Sequence, residues 1–147
     1  MSGFVTRWSI GQDLPVAPSD LDGDGYPTVT AVGGWLTGAV DAYLAQCHEL
    51  RRQVDGFTLA RRMSRQPRGS LLGHHPTRVL VTSSATEIRP MEFVVSVRVT
   101  PFGGDEDLPI NVTCRVSIED VMGDQQPLEA AVRDEIIALE QNAEYMA

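Results

Sequence analysis

Six residues near the N-terminus, Asp20-Leu21-Asp22-Gly23-Asp24-Gly25, set three carboxylates at alternate positions and then a glycine, just ahead of an apolar-periodic stretch. That pattern admits three uses. A carboxylate at a helix entrance can take a proton from water or attack an electrophile itself, while the first N–H groups of the helix, near Thr28 and Val29, lack intrahelical acceptors and can receive a developing oxyanion. The same aspartates also form turns and cap helices. The third use is calcium binding, because Asp-x-Asp-x-Asp-Gly opens an EF-hand loop. Position twelve of such a loop falls on Ala31, where a bidentate glutamate is needed, and the segment before it contains Pro15 and Pro18. No metal is expected there.

Other reactive side chains are scattered. Arg51, Arg52, Arg61, Arg62, Arg65 and Arg68 are half of the twelve basic residues, and arginine suits bidentate recognition of phosphate such as the nucleotide end of coenzyme A, although solvated or ion-paired arginines are the plainer reading. His74 and His75, beside Pro76, read as solvated loop residues, with no metal placed on them. Cys47 and Cys114 fall on apolar faces of a helix and a strand, which suits buried free thiols. Trp35 and Tyr43 share a helical stripe and read as core.

The elements that would position the aspartates follow from periodicity. Phe4 to Val16 carries Phe4, Trp8 and Ile10 at even positions and reads as a strand. From Val29 to Arg52 the residues Val32, Leu36, Val40, Tyr43, Cys47 and Leu50 follow the spacing of one helix face, with Thr28 or Thr30 as cap. Gly33, Gly34 and Gly38 inside that helix suggest the close approach of another backbone. Strands follow at Phe57 to Ser64, Thr77 to Ile88, Met91 to Phe102 and Ile110 to Ile118, the last alternating cleanly between apolar and polar residues. Gly103-Gly104-Asp105-Glu106-Asp107 reads as the hairpin between the last two. Pro127 reads as the first residue of a final helix striped by Leu128, Val132, Ile136 and Leu139.

Length and composition set limits on what this order can build. A chain of 147 residues suits one domain, residues 1–147, that buries roughly 68–70% of its unfolded surface. A net charge of −8 argues against a nucleic-acid partner, because phosphate contacts need a basic footprint. The apolar runs are too short to span a bilayer, and residues 1–7 lack the features of a secretory signal, so a cytoplasmic protein with no membrane partner is expected.

Strand, aspartate-rich turn, long helix, four strands and helix is the order in which the chain resembles the hotdog-fold acyl-CoA thioesterase superfamily. The resemblance spans nearly the whole chain. It is nearest to the 4-hydroxybenzoyl-CoA thioesterase-like branch, where an Asp-x-Asp-x-x-Gly turn runs into the central helix, and the final helix is similar to that of uncharacterised actinobacterial members. The resemblance implies an α+β hotdog fold, with a five-stranded antiparallel sheet wrapped around a long central helix plus a C-terminal helix. It implies a thioester hydrolase without a cofactor, acting on acyl-CoA or an acyl-carrier thioester. Asp22 is then the catalytic carboxylate with Asp20 and Asp24 in support, and Gly25, Tyr26, Thr28, Val29, Arg62 and Arg65 contact substrate. A homodimer or dimer of dimers is implied as well. Tyr26-Pro27-Thr28-Val29 stands where many members have His-Val-Asn-Asn, which keeps a non-catalytic acyl-CoA-binding or scaffold protein of the same fold as the alternative. A hydratase is disfavoured, since His48, His74 and His75 do not fall in that family's motif.

Overall fold

The computed structural model describes residues 10–145, with side chains through residue 140. The strand expected from Phe4 therefore lies partly outside the described residues, and the rest of it is β1, Ile10–Pro15. A short 3-10 turn, Pro18–Asp20, leads to the aspartate-rich loop and to the central helix α1, Val29–Leu44. Then come α2 (His48–Gln53), β2 (Thr58–Met63), β3 (Arg78–Ile88), β4 (Phe93–Phe102), β5 (Ile110–Glu119), the two-residue β6 (Gln125–Gln126) and α3 (Ala130–Tyr145).

The sheet runs β1-β3-β4-β5-β2, antiparallel throughout, with β6 paired to β5 beyond the end of β4. This is a five-stranded hotdog sheet curled over α1, as expected. The alternation in β5 dictates the curl's inner face: Ile110, Val112, Cys114, Val116 and Ile118 are buried, while Asn111, Thr113 and Arg115 are exposed. Val32, Leu36, Val40 and Tyr43 of α1 pack into the same core as Val79, Val81, Phe93, Val95, Val97 and Val99. Each such aliphatic side chain, fully buried, contributes roughly 1.5–3 kcal/mol. The Ser83 hydroxyl donates to the Ala39 carbonyl at 3.2 Å and ties helix to sheet.

Three expectations need correction. The helix does not run from Val29 to Arg52, because the chain tightens after Leu44 with Gln46 and Cys47 N–H groups bonded to carbonyls three residues back, and α2 starts afresh at His48 behind the non-helical Cys47. The apolar period survives the break, since Cys47 and Leu50 remain buried on the same core. Gly34 and Gly38 face no other backbone: a methyl group added at either would meet nothing within 4 Å, and one at Gly33 would meet only the Gln66 amide at 3.4 Å. Pro127 is not the first residue of the last helix. It follows β6, its carbonyl accepts from the Gln53 side-chain amide at 2.8 Å, and α3 begins at Ala130.

Both cysteines are buried and free, as their positions on apolar faces implied. Among the described residues no helix is long and apolar enough to cross a membrane.

Candidate active site

Hydrogen bonds around Asp22 close the aspartate-rich loop on itself. Asp22 Oδ1 accepts the N–H groups of Asp24 at 2.9 Å and Tyr26 at 3.0 Å, and the Asp22 N–H donates to the Tyr26 carbonyl at 2.7 Å. Gly25 closes the turn at φ 88, a left-handed conformation that favours glycine. Asp20 plays a different part. Its Oδ2 accepts the Ala17 N–H at 2.8 Å, its carbonyl accepts the Thr28 N–H at 2.8 Å, and Leu21 bridges to Pro27. Asp24 is exposed, and its carboxylate and Asp22 Oδ2 have no hydrogen-bond partner among the described residues. Nor do the three carboxylates join into a group able to hold a cation.

The helix entrance follows directly. Thr28 is the N-cap, and its hydroxyl oxygen accepts the Ala31 N–H at 3.0 Å. Because the Thr28 N–H is spent on Asp20, the donors left for a ligand are the first two helical N–H groups, those of Val29 and Thr30. Val29 is 63% exposed, so this end of the dipole is open to a ligand.

Two distant loops buttress the turn, and little in the sequence warns of them. The loop at Gly69 packs so tightly on Pro27 that any side-chain carbon there would overlap the Pro27 carbonyl. The His75 N–H donates to the Gly25 carbonyl at 2.7 Å, and the His75 ring lies where a Gly25 side chain would be. His74 stacks on Tyr26 with ring centroids 3.9 Å apart, and its Nδ1 lies 2.9 Å from an Asp105 carboxylate oxygen. The histidines are thus not merely solvated loop residues. The one sequence signal for this is glycine flanking both segments, Gly73 before the histidines and Gly103-Gly104 before Asp105.

The arginines divide. Arg65 donates to the Asn111 carbonyl at 2.8 Å, and the next residue, Gln66, reaches Gly33 in the first turns of α1. Arg62 instead pairs with Glu119 at 2.7 Å within the β2–β5 ladder, on the edge of the sheet opposite β1, and is not brought to the Asp22 turn within one chain. Arg61 pairs with Asp41 at 3.1 Å.

A second polar cluster, unforeseen from sequence, lies at the other end of α1. Glu140 of α3 accepts from the Tyr43 hydroxyl, from the Ser84 hydroxyl and, at 3.0 Å, from the Ala85 N–H beside a bulge between Ala85 and Glu87. Burial, reinforced by the Glu140 carboxylate, pushes the Tyr43 hydroxyl far above the usual phenol range. Burial also pushes the Cys47 thiol up to about 12, with Glu135 and Glu140 adding to it. Neither group is a nucleophile at neutral pH.

No family model matches the sequence, and no curated protein matches it. Solved structures do. A thioesterase from Thermus thermophilus, complexed with coenzyme A and zinc, is 18% identical with a TM-score of 0.64, covering 96% of this chain and 98% of its own. A 1,4-dihydroxy-2-naphthoyl-CoA thioesterase from Synechocystis is 16% identical with a TM-score of 0.63, covering 88% and 96%. A 4-hydroxybenzoyl-CoA thioesterase variant in complex with 4-hydroxybenzoyl-CoA is 14% identical with a TM-score of 0.60, covering 86% and 97%. At such identities the likeness establishes the hotdog fold.

Proposed function

We propose that this chain hydrolyses acyl-thioesters at the entrance of α1, with Asp22 as the reacting carboxylate. One observation carries the reading: among the described residues the turn fixes Asp22 through Oδ1 alone, leaving Oδ2 unpartnered seven and eight positions ahead of the unpaired N–H groups of Val29 and Thr30. A carboxylate and an oxyanion donor are the two parts that acyl transfer to water requires. As base, Asp22 takes a proton from water while the water oxygen bonds to the acyl carbon. The carbonyl oxygen, now negative, is received by the helix N–H groups, and when the C–S bond breaks the thiolate recovers the proton. As nucleophile, Asp22 bonds to the acyl carbon itself and water releases the acid in a second step.

The substrate in this reading is an acyl-CoA or an acyl-carrier thioester, supported by the likeness to thioesterases whose names specify coenzyme A esters. Gly25, Tyr26, Thr28 and Val29 line the reacting end, Arg65 lies beside the helix through Gln66, and Asp20 and Asp24 support the turn. Arg62, from an edge strand, reaches a substrate only across a subunit seam. That agrees with a homodimer or dimer of dimers, for which the open edges of β1 and β2 offer unpaired backbone groups.

The rival reading is an acyl-CoA binder of the same fold, favoured by the double use of Asp22 Oδ1 in holding the turn. Thiol release by the native protein over a panel of aromatic and aliphatic acyl-CoAs decides between them. Turnover of at least one thioester is expected; binding of the panel without thiol release would establish the binder.

A further inference from the structure

The histidine loop beside the Asp22 turn is built more carefully than a surface loop requires. Asp105 accepts twice from His74, from its backbone N–H at 2.7 Å and at Nδ1, 2.9 Å away. A carboxylate only accepts, so in the neutral ring the proton sits on Nδ1 and Nε2 carries the lone pair. The Asp105 carboxyl is held below the usual carboxylate range by these contacts with His74. The ring is fixed from its face by Tyr26, whose N–H and carbonyl are both bonded to Asp22. On the neighbouring residue, His75 adopts a left-handed backbone at φ 52, a strain that persists only where its surroundings impose it.

The loops meet at positions that admit only glycine. A side-chain carbon at Gly73 would overlap Asp105 and Glu106, one at Gly103 would overlap Thr77, and one at Gly104 would overlap the His74 carbonyl. The His74 and Asp105 side chains are 43% and 60% exposed, and an ion pair that open adds little to stability. What the arrangement does secure is a histidine oriented against Tyr26, the residue whose backbone is bonded to Asp22.

We propose that His74, oriented by Asp105, is the general base that activates water in the second half of a two-step hydrolysis begun by Asp22. The inference rests on the hydrolase reading and deepens it by assigning Asp22 the nucleophile's part. Asp22 Oδ2 bonds to the acyl carbon as the C–S bond breaks, and the departing thiolate takes a proton from solvent. His74 Nε2 then accepts a proton from water, the water oxygen bonds to the acyl carbon, and the acyl–Asp22 bond breaks to give the acid and a free carboxylate. The proton on His74 returns to solvent. The ionisable groups around the ring are Asp105 in contact, Glu106 packed on Gly73, Tyr26 on its face, and His75 with ring centroids 6.3 Å away.

The test follows thiol release by native, His74→Gln and Asp105→Asn proteins in stopped flow from pH 5 to 9, together with intact mass of the quenched enzyme. The native rate should fall on the acid side as a histidine protonates. In His74→Gln that limb should vanish, the steady rate should drop about 100-fold, and a burst of one thiol per site should accompany a mass increase by one acyl group. Asp105→Asn should lower the rate less and shift the acid limb, which a merely structural contact would not do. His74→Gln with native rate, native pH profile and no acylated enzyme would overturn the assignment while the hydrolase stands. A native protein that releases no thiol from any acyl-CoA would overturn both, and the two failures are told apart by the native trace alone.

Discussion

The polar side chains at the two ends of α1 find their partners in opposite ways, while the carbonyls of Asp41, Tyr43 and Leu44 are taken up locally by the N–H groups of Ala45, Gln46 and Cys47. At the entrance the side-chain partners are close in sequence: Asp22 bonds to residues two and four positions on, and Thr28 bonds three positions on. At the exit they come from far away, with Glu140 gathering Tyr43, Ser84 and Ala85 across 97, 56 and 55 positions. Arg51 of α2 reaches back to the Ala45 carbonyl at 2.8 Å, and Glu135 of α3 accepts the Glu49 N–H at the start of α2 at 2.9 Å. The entrance is wet, and Asp22 Oδ2 stays open to a ligand. The exit is dry, its hydroxyl and thiol held protonated by burial. In the proposed reading one end reacts and the other holds.

Four substitutions act differently on the two ends. Gly69→Ala should cost the most, about 3 kcal/mol in urea unfolding, because a methyl group cannot fit against the Pro27 carbonyl without shifting backbone. Activity should fall with it, since Pro27 belongs to the helix entrance. Glu140→Ala should cost about 2 kcal/mol by leaving the Tyr43 hydroxyl and the Ala85 N–H without this acceptor. Thiol release per folded molecule should not change, and a loss of turnover without a loss of stability would erase the distinction between the ends.

Alkaline pH should weaken the exit of α1. Cys47 and Tyr43 are neutral when protonated, and their pKa values in the folded chain lie above those of the unfolded chain. Their contribution is therefore intact below the ordinary thiol value of 9.0 and is lost as pH rises toward the Cys47 value of about 12. Urea midpoints should fall above about pH 9, and Cys47→Ala should make that fall shallower. The smallest effect has the opposite sign. Gly34→Ala should raise stability by up to about 1 kcal/mol, since a methyl group there meets nothing and glycine costs that much inside a helix.

The same contrast explains what can be read from the sequence. The strands at Ile110–Glu119 and Phe93–Phe102 are legible because burial of one face writes itself as alternation, and the Asp22 turn is legible because its partners are local. The break after Leu44 is hidden, since the apolar period continues through Cys47 and Leu50 while the cap for α2 comes from Glu135. The start of α3 is hidden for a similar reason: Pro127 is a good first helical residue, but Gln53 and β5 claim the segment around it. The glycines of α1 suggest a backbone contact that one chain does not make. His74 looks idle in the sequence because its carboxylate lies 31 positions away.

Thiol release by Asp22→Asn, measured against native protein and Asp24→Asn on the thioester turned over fastest, tests the central claim most directly. Asparagine keeps an oxygen at Oδ1 for the N–H groups of Asp24 and Tyr26, so the turn should survive while the reacting carboxylate is gone. Turnover should fall at least about 100-fold in Asp22→Asn and much less in Asp24→Asn. A folded Asp22→Asn protein that releases thiol at the native rate would contradict that claim.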